Sequence, residues 1–137
     1  GSGAVYGGEM SAHHYFRDFM ACDSGMIPWL MIAGLMTRTG RSLAEMAQDL
    51  RRDHPSSGEI NFTVPDPAAM IGRVRADLGP KARDEDWTDG LSLSFGTWRL
   101  NLRASNTEPL LRLNVEARGD AGLVAEGVER VRQLIQG

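Results

Sequence analysis

A chain of 137 residues, 42% hydrophobic and 24% charged, can enclose one ordinary core, or a small core with an appendage. Its 18 acidic and 15 basic residues leave a net charge of -3 with no block of one sign, which argues against nucleic-acid and anionic-membrane partners. The single cysteine, Cys22, cannot form an internal disulfide, His13, His14 and His54 offer no ligand set with zinc spacing, and the apolar run from Met26 to Met36, broken by Pro28 and Gly34, is far short of the roughly 20 residues of a membrane span, so a reducing, cytoplasmic setting without metal bound by this chain is expected.

In chain order, Gly1-Ser2-Gly3 reads as an expression scar, and Ala4-Val5-Tyr6 then starts abruptly, as the beginning of an excised fragment would. Gly7-Gly8-Glu9-Met10-Ser11-Ala12-His13-His14 follows as a polar loop. Asp23 or Ser24 can cap a helix that tolerates Pro28 in its first turn, where backbone donors are unpaired anyway. Met26, Ile27, Trp29, Leu30, Met31, Ile32, Leu35 and Met36 leave that helix no clear polar face, which predicts burial on several sides and suggests that part of its shelter is missing. Ser42 with Glu45 forms a capping box, and Leu43, Met46, Ala47 and Leu50 recur at helical spacing up to His54-Pro55. Pro55-Ser56-Ser57-Gly58 is the expected domain boundary, separating residues 4–57 from 58–137.

Beyond it Ile60, Phe62 and Val64 alternate as a half-buried strand, and Asp66-Pro67 supplies the cap and first residue of a helix with Met70, Ile71, Val74 and Leu78 on one stripe. The charged stretch 81–90, including Asp84-Glu85-Asp86, reads as a solvated loop rather than a magnesium site. Three strands follow on alternating Leu91, Leu93 and Phe95, then Trp98, Leu100 and Leu102, then Leu111, Leu113 and Val115, and Asp120 caps a final helix. Strand, helix, three strands, helix is an α+β unit with helices on one face of an antiparallel sheet.

Two loops carry the chemistry. Arg103-Ala104-Ser105-Asn106-Thr107-Glu108-Pro109 joins two strongly patterned strands and offers a guanidinium, two hydroxyls and an amide, a set suited to a phosphate. A carboxylate would repel such a ligand, so Glu108 reads as an orienter of loop donors or of Arg103, or as an acceptor for a sugar hydroxyl. In the first loop the glycines, Gly8 among them, allow close backbone approach, Glu9 can accept from sugar hydroxyls, Ser11 can donate or accept, and His13 can carry a proton near neutral pH. Plain turns with surface histidines have the same composition, and neither loop excludes that reading alone.

Taken together, Gly8-Glu9-Met10-Ser11-Ala12-His13 and Arg103-Ala104-Ser105-Asn106-Thr107-Glu108-Pro109, with Asp23-Ser24-Gly25 between them, resemble the sugar-binding and phosphate-binding loops of the α-D-phosphohexomutases, most closely the bacterial phosphomannomutase branch. The resemblance implies that residues 4–57 are the end of a partial α/β third domain. It implies that residues 58–137 are the fourth, C-terminal domain, similar to the TATA-binding-protein fold, with an antiparallel four-stranded sheet and two helices. It implies a mutase that interconverts mannose 6-phosphate and mannose 1-phosphate through a phosphoserine and a bisphosphate intermediate, for GDP-mannose supply, with Mg2+ in the intact enzyme. Glu9, Ser11 and His13 would grip sugar hydroxyls, His13 also as proton carrier, and Arg103, Ser105, Asn106 and Thr107 would hold the phosphate that is not reacting. The family's serine and metal loops have no match here, so the fragment alone is expected to be inactive and to depend on the remaining domains. Ala12 departs from a frequent glycine and Ala104 from a frequent proline or threonine. Phosphoglucomutase or phosphoglucosamine mutase activity, with glucose phosphates among the ligands, and a stand-alone phosphosugar-binding module are the alternatives.

Overall fold

The computed structural model describes residues 3–9, 11–105 and 107–137. The chain divides into two compact units, Gly1–Ala47 and Gln48–Gly137. In the first, strands β1 (Tyr6–Gly8), β2 (His14–Phe16) and β3 (Cys22–Asp23) form a small antiparallel sheet in that order. Helix α1 (Met26–Thr39) follows; Ser24 Oγ accepts from the Ile27 amide at 3.3 Å, and Gly40 ends the helix in the left-handed conformation. Helix α1 has no buried residue among those described, and Trp29, Leu30 and Met31 are each more than half exposed. The expected burial on several sides is therefore not met within this chain. Helix α2 (Leu43–Asp53) opens with the anticipated capping box: Glu45 Oε2 accepts from the Ser42 amide at 2.8 Å, and Ser42 Oγ accepts from the Glu45 amide at 3.3 Å.

The second unit has strands β4 (Ile60–Thr63), β5 (Asp84–Asp86), β6 (Leu91–Ser94), β7 (Trp98–Ala104) and β8 (Leu110–Ala117), with helices α3 (Pro67–Leu78) and α4 (Ala121–Gln136). Asp66 and Asp120 cap the helices, accepting from Ala69 N at 2.9 Å and Gly122 N at 2.8 Å. The sheet is antiparallel with order β4-β8-β7-β6-β5. It has five strands rather than the expected four, because the acidic cluster 84–86 is an edge strand and not a loop. Pairing with β6 places Glu85 opposite Leu93, where Arg75 Nε of α3 donates to its carboxylate at 2.8 Å and Trp87 Nε1 at 2.7 Å. These bonds, the Trp87 one foremost, lower the Glu85 pKa. Charge at a sheet edge also discourages pairing with another chain.

Alternation along the central strands buries Leu91, Leu93, Leu100, Leu102, Leu111, Leu113 and Val115 on one face. Val74 and Leu78 of α3 and Val124, Val131 and Ile135 of α4 complete this core. Truncating any of these leucines to alanine would cost about 2–5 kcal/mol through lost transfer energy and the cavity left behind. The helices are also tied by Arg130 Nη2, which donates to Asp77 Oδ1 at 2.8 Å.

The other face of the sheet is polar and includes Ser92, Asn101, Arg103, Arg112 and Asn114. Gly90, in the turn before β6, lies directly against the β7 backbone at Arg103. Its φ is +73°, and a Cβ there would meet Arg103 Cβ at 2.6 Å and the Leu102 carbonyl oxygen at 2.7 Å. Gly90→Ala thus combines left-handed strain with a backbone clash and should lower the stability of this unit by about 2–4 kcal/mol. In urea unfolding followed by tryptophan fluorescence, the expected result is a lower midpoint with an unchanged slope.

Candidate functional site

The first loop closes the β1–β2 hairpin, whose register pairs Gly8 with His14. The Glu9 amide donates to the His13 carbonyl at 2.9 Å and the Ala12 amide to the Glu9 carbonyl at 3.0 Å. This tight return puts Ala12 at φ +63°, a conformation that favours glycine. A Cβ at Gly8 would stand 2.6 Å from the Tyr6 hydroxyl, which itself meets His14 Nδ1 at 2.7 Å, so a larger residue there would have to displace this half-exposed ring.

Within this loop the fold brings Glu9 and Ser11 together, with Ser11 Oγ donating to Glu9 Oε2 at 3.1 Å. The Glu9 carboxylate also receives the Tyr15 hydroxyl, and that bond raises the Tyr15 pKa. His13 Nδ1 donates to Asp23 Oδ2 at 2.6 Å, while Asp23 Oδ1 accepts from the His14 amide at 2.8 Å. The Asp23 carboxylate thereby fixes both the backbone of the loop end and the tautomer of His13, leaving Nε2 as the nitrogen for a ligand. The same hydrogen bond raises the His13 pKa and lowers that of Asp23. Asp23 and Tyr15 are the members that the sequence pattern did not single out for this loop. Asp23 was a candidate helix cap, but Ser24 takes that role.

The second loop closes the β7–β8 hairpin, in which Arg103 pairs with Arg112 and Ala104 with Leu111. The Ser105 amide donates to the Leu110 carbonyl at 2.8 Å, and Ser105 Oγ lies 3.4 Å from the Thr107 amide. Arg103, Ser105 and Thr107 are thus held at one end of the sheet by one short hairpin. Asn106 lies outside the described residues. Glu108 supplies its backbone carbonyl, which accepts from the Leu110 amide at 2.7 Å. The carboxylates beside Arg103 are Glu59, with Oε2 3.5 Å from Nη2, and Asp89, with Oδ2 3.9 Å from Nε. Glu59 also reaches Arg112, its Oε1 lying 3.7 Å from Nη1. Arg112 Nε is sealed from solvent without a hydrogen-bond partner among the described residues. Arg112 could have been found from the sequence: if Leu102 and Leu113 both face the core across a five-residue loop, Arg103 and Arg112 share the opposite face.

Among the described residues no group of three or more His, Cys, Asp or Glu side chains is placed to hold a metal ion, and no helix is long and apolar enough to cross a membrane.

Residues 1–53 match the model of phosphoglucomutase/phosphomannomutase, alpha/beta/alpha domain III, and residues 59–134 match that of the phosphoglucomutase/phosphomannomutase C-terminal domain. The chain belongs to the phosphoglucomutase/phosphomannomutase family. Similar proteins include "Phosphohexose mutases" of Xanthomonas campestris pv. campestris (strain B100), 57% identical over 98% of this chain and 30% of that protein. A phosphomannomutase of Salmonella montevideo is 56% identical over 96% of this chain and 29% of its own length. The crystal structure of a phosphoglucomutase/phosphomannomutase family protein from Burkholderia thailandensis superposes with a TM-score of 0.68 at 25% identity, over 98% of this chain and 29% of that one. The chain therefore spans about 30% of the length of these relatives.

The His13–Asp23 pair predicts a specific pH response. With the folded His13 pKa above its ordinary 6.5, the stabilisation from this pair is fully present below pH 6.5 and is lost as pH rises through the folded value. On the acid side Asp23 is held below 3.8, so its contribution is present above pH 3.8 and lost as pH falls through its folded value. In Asp23→Asn the His13 ring, followed by NMR, should titrate at lower pH than in the wild type. Ala12→Gly should stabilise the loop by up to about 1 kcal/mol, since glycine's larger unfolded-state entropy offsets part of the relieved strain, and this should be seen as slower amide exchange at Glu9 and at position 12.

Proposed function

We propose that this chain is the substrate-binding part of a phosphomannomutase that interconverts mannose 6-phosphate and mannose 1-phosphate, in support of GDP-mannose formation in the cytoplasm. In this reading residues 4–57 end the third domain, whose remaining layers would cover α1, and residues 58–137 are the fourth. Glu9 and Ser11 accept and donate to sugar hydroxyls. His13, with Nδ1 committed to Asp23, presents Nε2 to a reacting hydroxyl as proton carrier. Arg103, Ser105, Asn106 and Thr107 hold the phosphate that is not reacting, which fixes the in-line geometry at the other end of the sugar.

The observation that carries this reading is the β7–β8 hairpin, which sets a guanidinium pair, Arg103 and Arg112, next to the Ser105 and Thr107 donors at one end of a rigid sheet. Two like charges opposite one another destabilise a sheet unless an anion is shared between them. The phosphomannomutase relative, at 56% identity, favours mannose as the sugar. Glucose phosphates are the second reading, favoured by the phosphoglucomutase half of the family description.

In the intact enzyme a phosphoserine would supply the phosphoryl group, and magnesium would assist there by stabilising the developing charge. The acidic cluster 84–86 does not fit the metal: β5 points Glu85 to one face and Asp84 and Asp86 to the other, and Glu85 is already engaged by Arg75 and Trp87. Here the chain's own residues bind and orient, and turnover by the chain alone is not expected.

In the full-length enzyme Arg103→Ala should lower kcat/KM for mannose 1-phosphate by about 100-fold or more, with Arg103→Lys recovering only part, because a point charge cannot replace a planar fork. An unchanged rate in a folded variant would remove the phosphate from this loop.

A further inference from the structure

The two arginines beside the phosphate-binding loop already have an anion. The Glu59 carboxylate, from the segment preceding β4, lies 3.5 Å from Arg103 Nη2 and 3.7 Å from Arg112 Nη1. All three side chains are about one-third exposed, 35%, 30% and 28% for Arg103, Arg112 and Glu59, so water weakens their attraction but does not abolish it. Charge-assisted hydrogen bonds run at about 2.7–2.9 Å. Both contacts are longer, so Glu59 balances the charge of the guanidiniums without saturating their donors, and Arg112 Nε is left buried without an acceptor among the described residues. An unsatisfied buried donor beside two converging cations marks a place where a better acceptor fits. The other carboxylate nearby, Asp89, is far more exposed at 76% and touches only Arg103, at 3.9 Å.

We propose that Glu59 is a built-in counter-anion of the phosphate loop: its carboxylate bridges Arg103 and Arg112 in the empty loop and must be displaced before both can turn to a phosphate. Arg112 thereby joins Arg103 as a ligand-facing residue, and Glu59 is a positioning residue that sets how firmly the loop grips. The inference rests on the proposed phosphate-binding role of the loop. Its chemical sense follows from the reaction class. A mutase working through a bisphosphate must release and regrip the non-reacting phosphate as the intermediate turns round. A site of two unopposed arginines would hold a dianion too long, whereas an internal carboxylate that returns as phosphate leaves lowers the cost of release.

The test is a titration of the 137-residue chain with inorganic phosphate, read by NMR at the Ser105 and Thr107 amides and the Arg103 and Arg112 Nε–H signals. Glu59→Gln keeps the shape and removes the charge. It should tighten phosphate binding by roughly five- to tenfold and slow its dissociation, with Asp89→Asn giving a smaller gain because its charge is solvated. In an Arg112→Gln background the gain from Glu59→Gln should shrink. A purely structural carboxylate, needed only to hold the arginines in place, would give weaker binding in Glu59→Gln. Equal or weaker binding in Glu59→Gln, with the wild type still binding phosphate, overturns the counter-anion while leaving the loop's role intact. No saturable shift at Ser105 and Thr107 in either chain overturns both. Unchanged amide dispersion for 98–117 shows that each variant is folded.

Discussion

The register of the β7–β8 hairpin is the constraint on which the second unit depends. With side chains alternating between faces, the pairing of Leu102 with Leu113 and Leu100 with Val115 sends these residues into the core beneath α3 and α4, and sends Arg103 and Arg112 to the opposite face. A slip by one residue would bury two guanidiniums and expose the core, a penalty of several kcal/mol per uncompensated charge. The hydrophobic effect that stabilises the sheet is therefore also what aims the arginines. Gly90 extends this logic to the backbone, since its missing Cβ lets the turn before β6 close against Arg103.

The first unit works by other means. None of its described residues is buried, and its loop is shaped by hydrogen bonds and one strained residue rather than by a core. Asp23 does most of this shaping, because one of its carboxylate oxygens fixes the His14 amide and the other the His13 ring. An aspartate used in this way cannot cap α1, and Ser24 is available one residue on. A small sheet without a core provides little resistance to local opening. The apolar side of α1 is consistent with this picture, being a helix composed for burial that has no buried residue in this chain.

What could be read from the sequence was what is local. The capping box at Ser42, the caps at Asp66 and Asp120 and the alternating strands each depend on neighbours a few residues apart, and all appear where the pattern placed them. The loops at 8–13 and 103–109 stood out because polar side chains were concentrated between apolar strands. Strand β5 was hidden because an all-acidic triplet has the composition of a solvated loop, and only Arg75 and Trp87, brought close by folding, make it a strand partner. Glu59 and Asp89, and the bond of Asp23 to His13, were hidden for a similar reason: the partners Arg103 and His13 are distant in sequence. The pairing of Arg112 with Arg103 was the exception, deducible from strand periodicity alone.

Two departures from local stability rules fall at the two loops, while Met20 and Ala21, in the turn before β3, also take the left-handed conformation. Ala12 occupies a left-handed conformation at a cost of about 1–2 kcal/mol, and Arg103 faces a like charge across the sheet. In the second unit propensity, capping, alternation and packing otherwise agree with one another, so the Arg103–Arg112 juxtaposition is not a sign of a loosely specified fold. Each has a local counterweight: the Glu9–His13 backbone bonds hold the strained loop, and Glu59 lies between the arginines. The two counterweights differ in kind. Backbone bonds closing a five-residue return can be lost only by unfolding the loop, whereas a carboxylate at 3.5–3.7 Å can be exchanged for another anion without moving the sheet. The first loop is thus built to keep its shape, and the second to change its occupant.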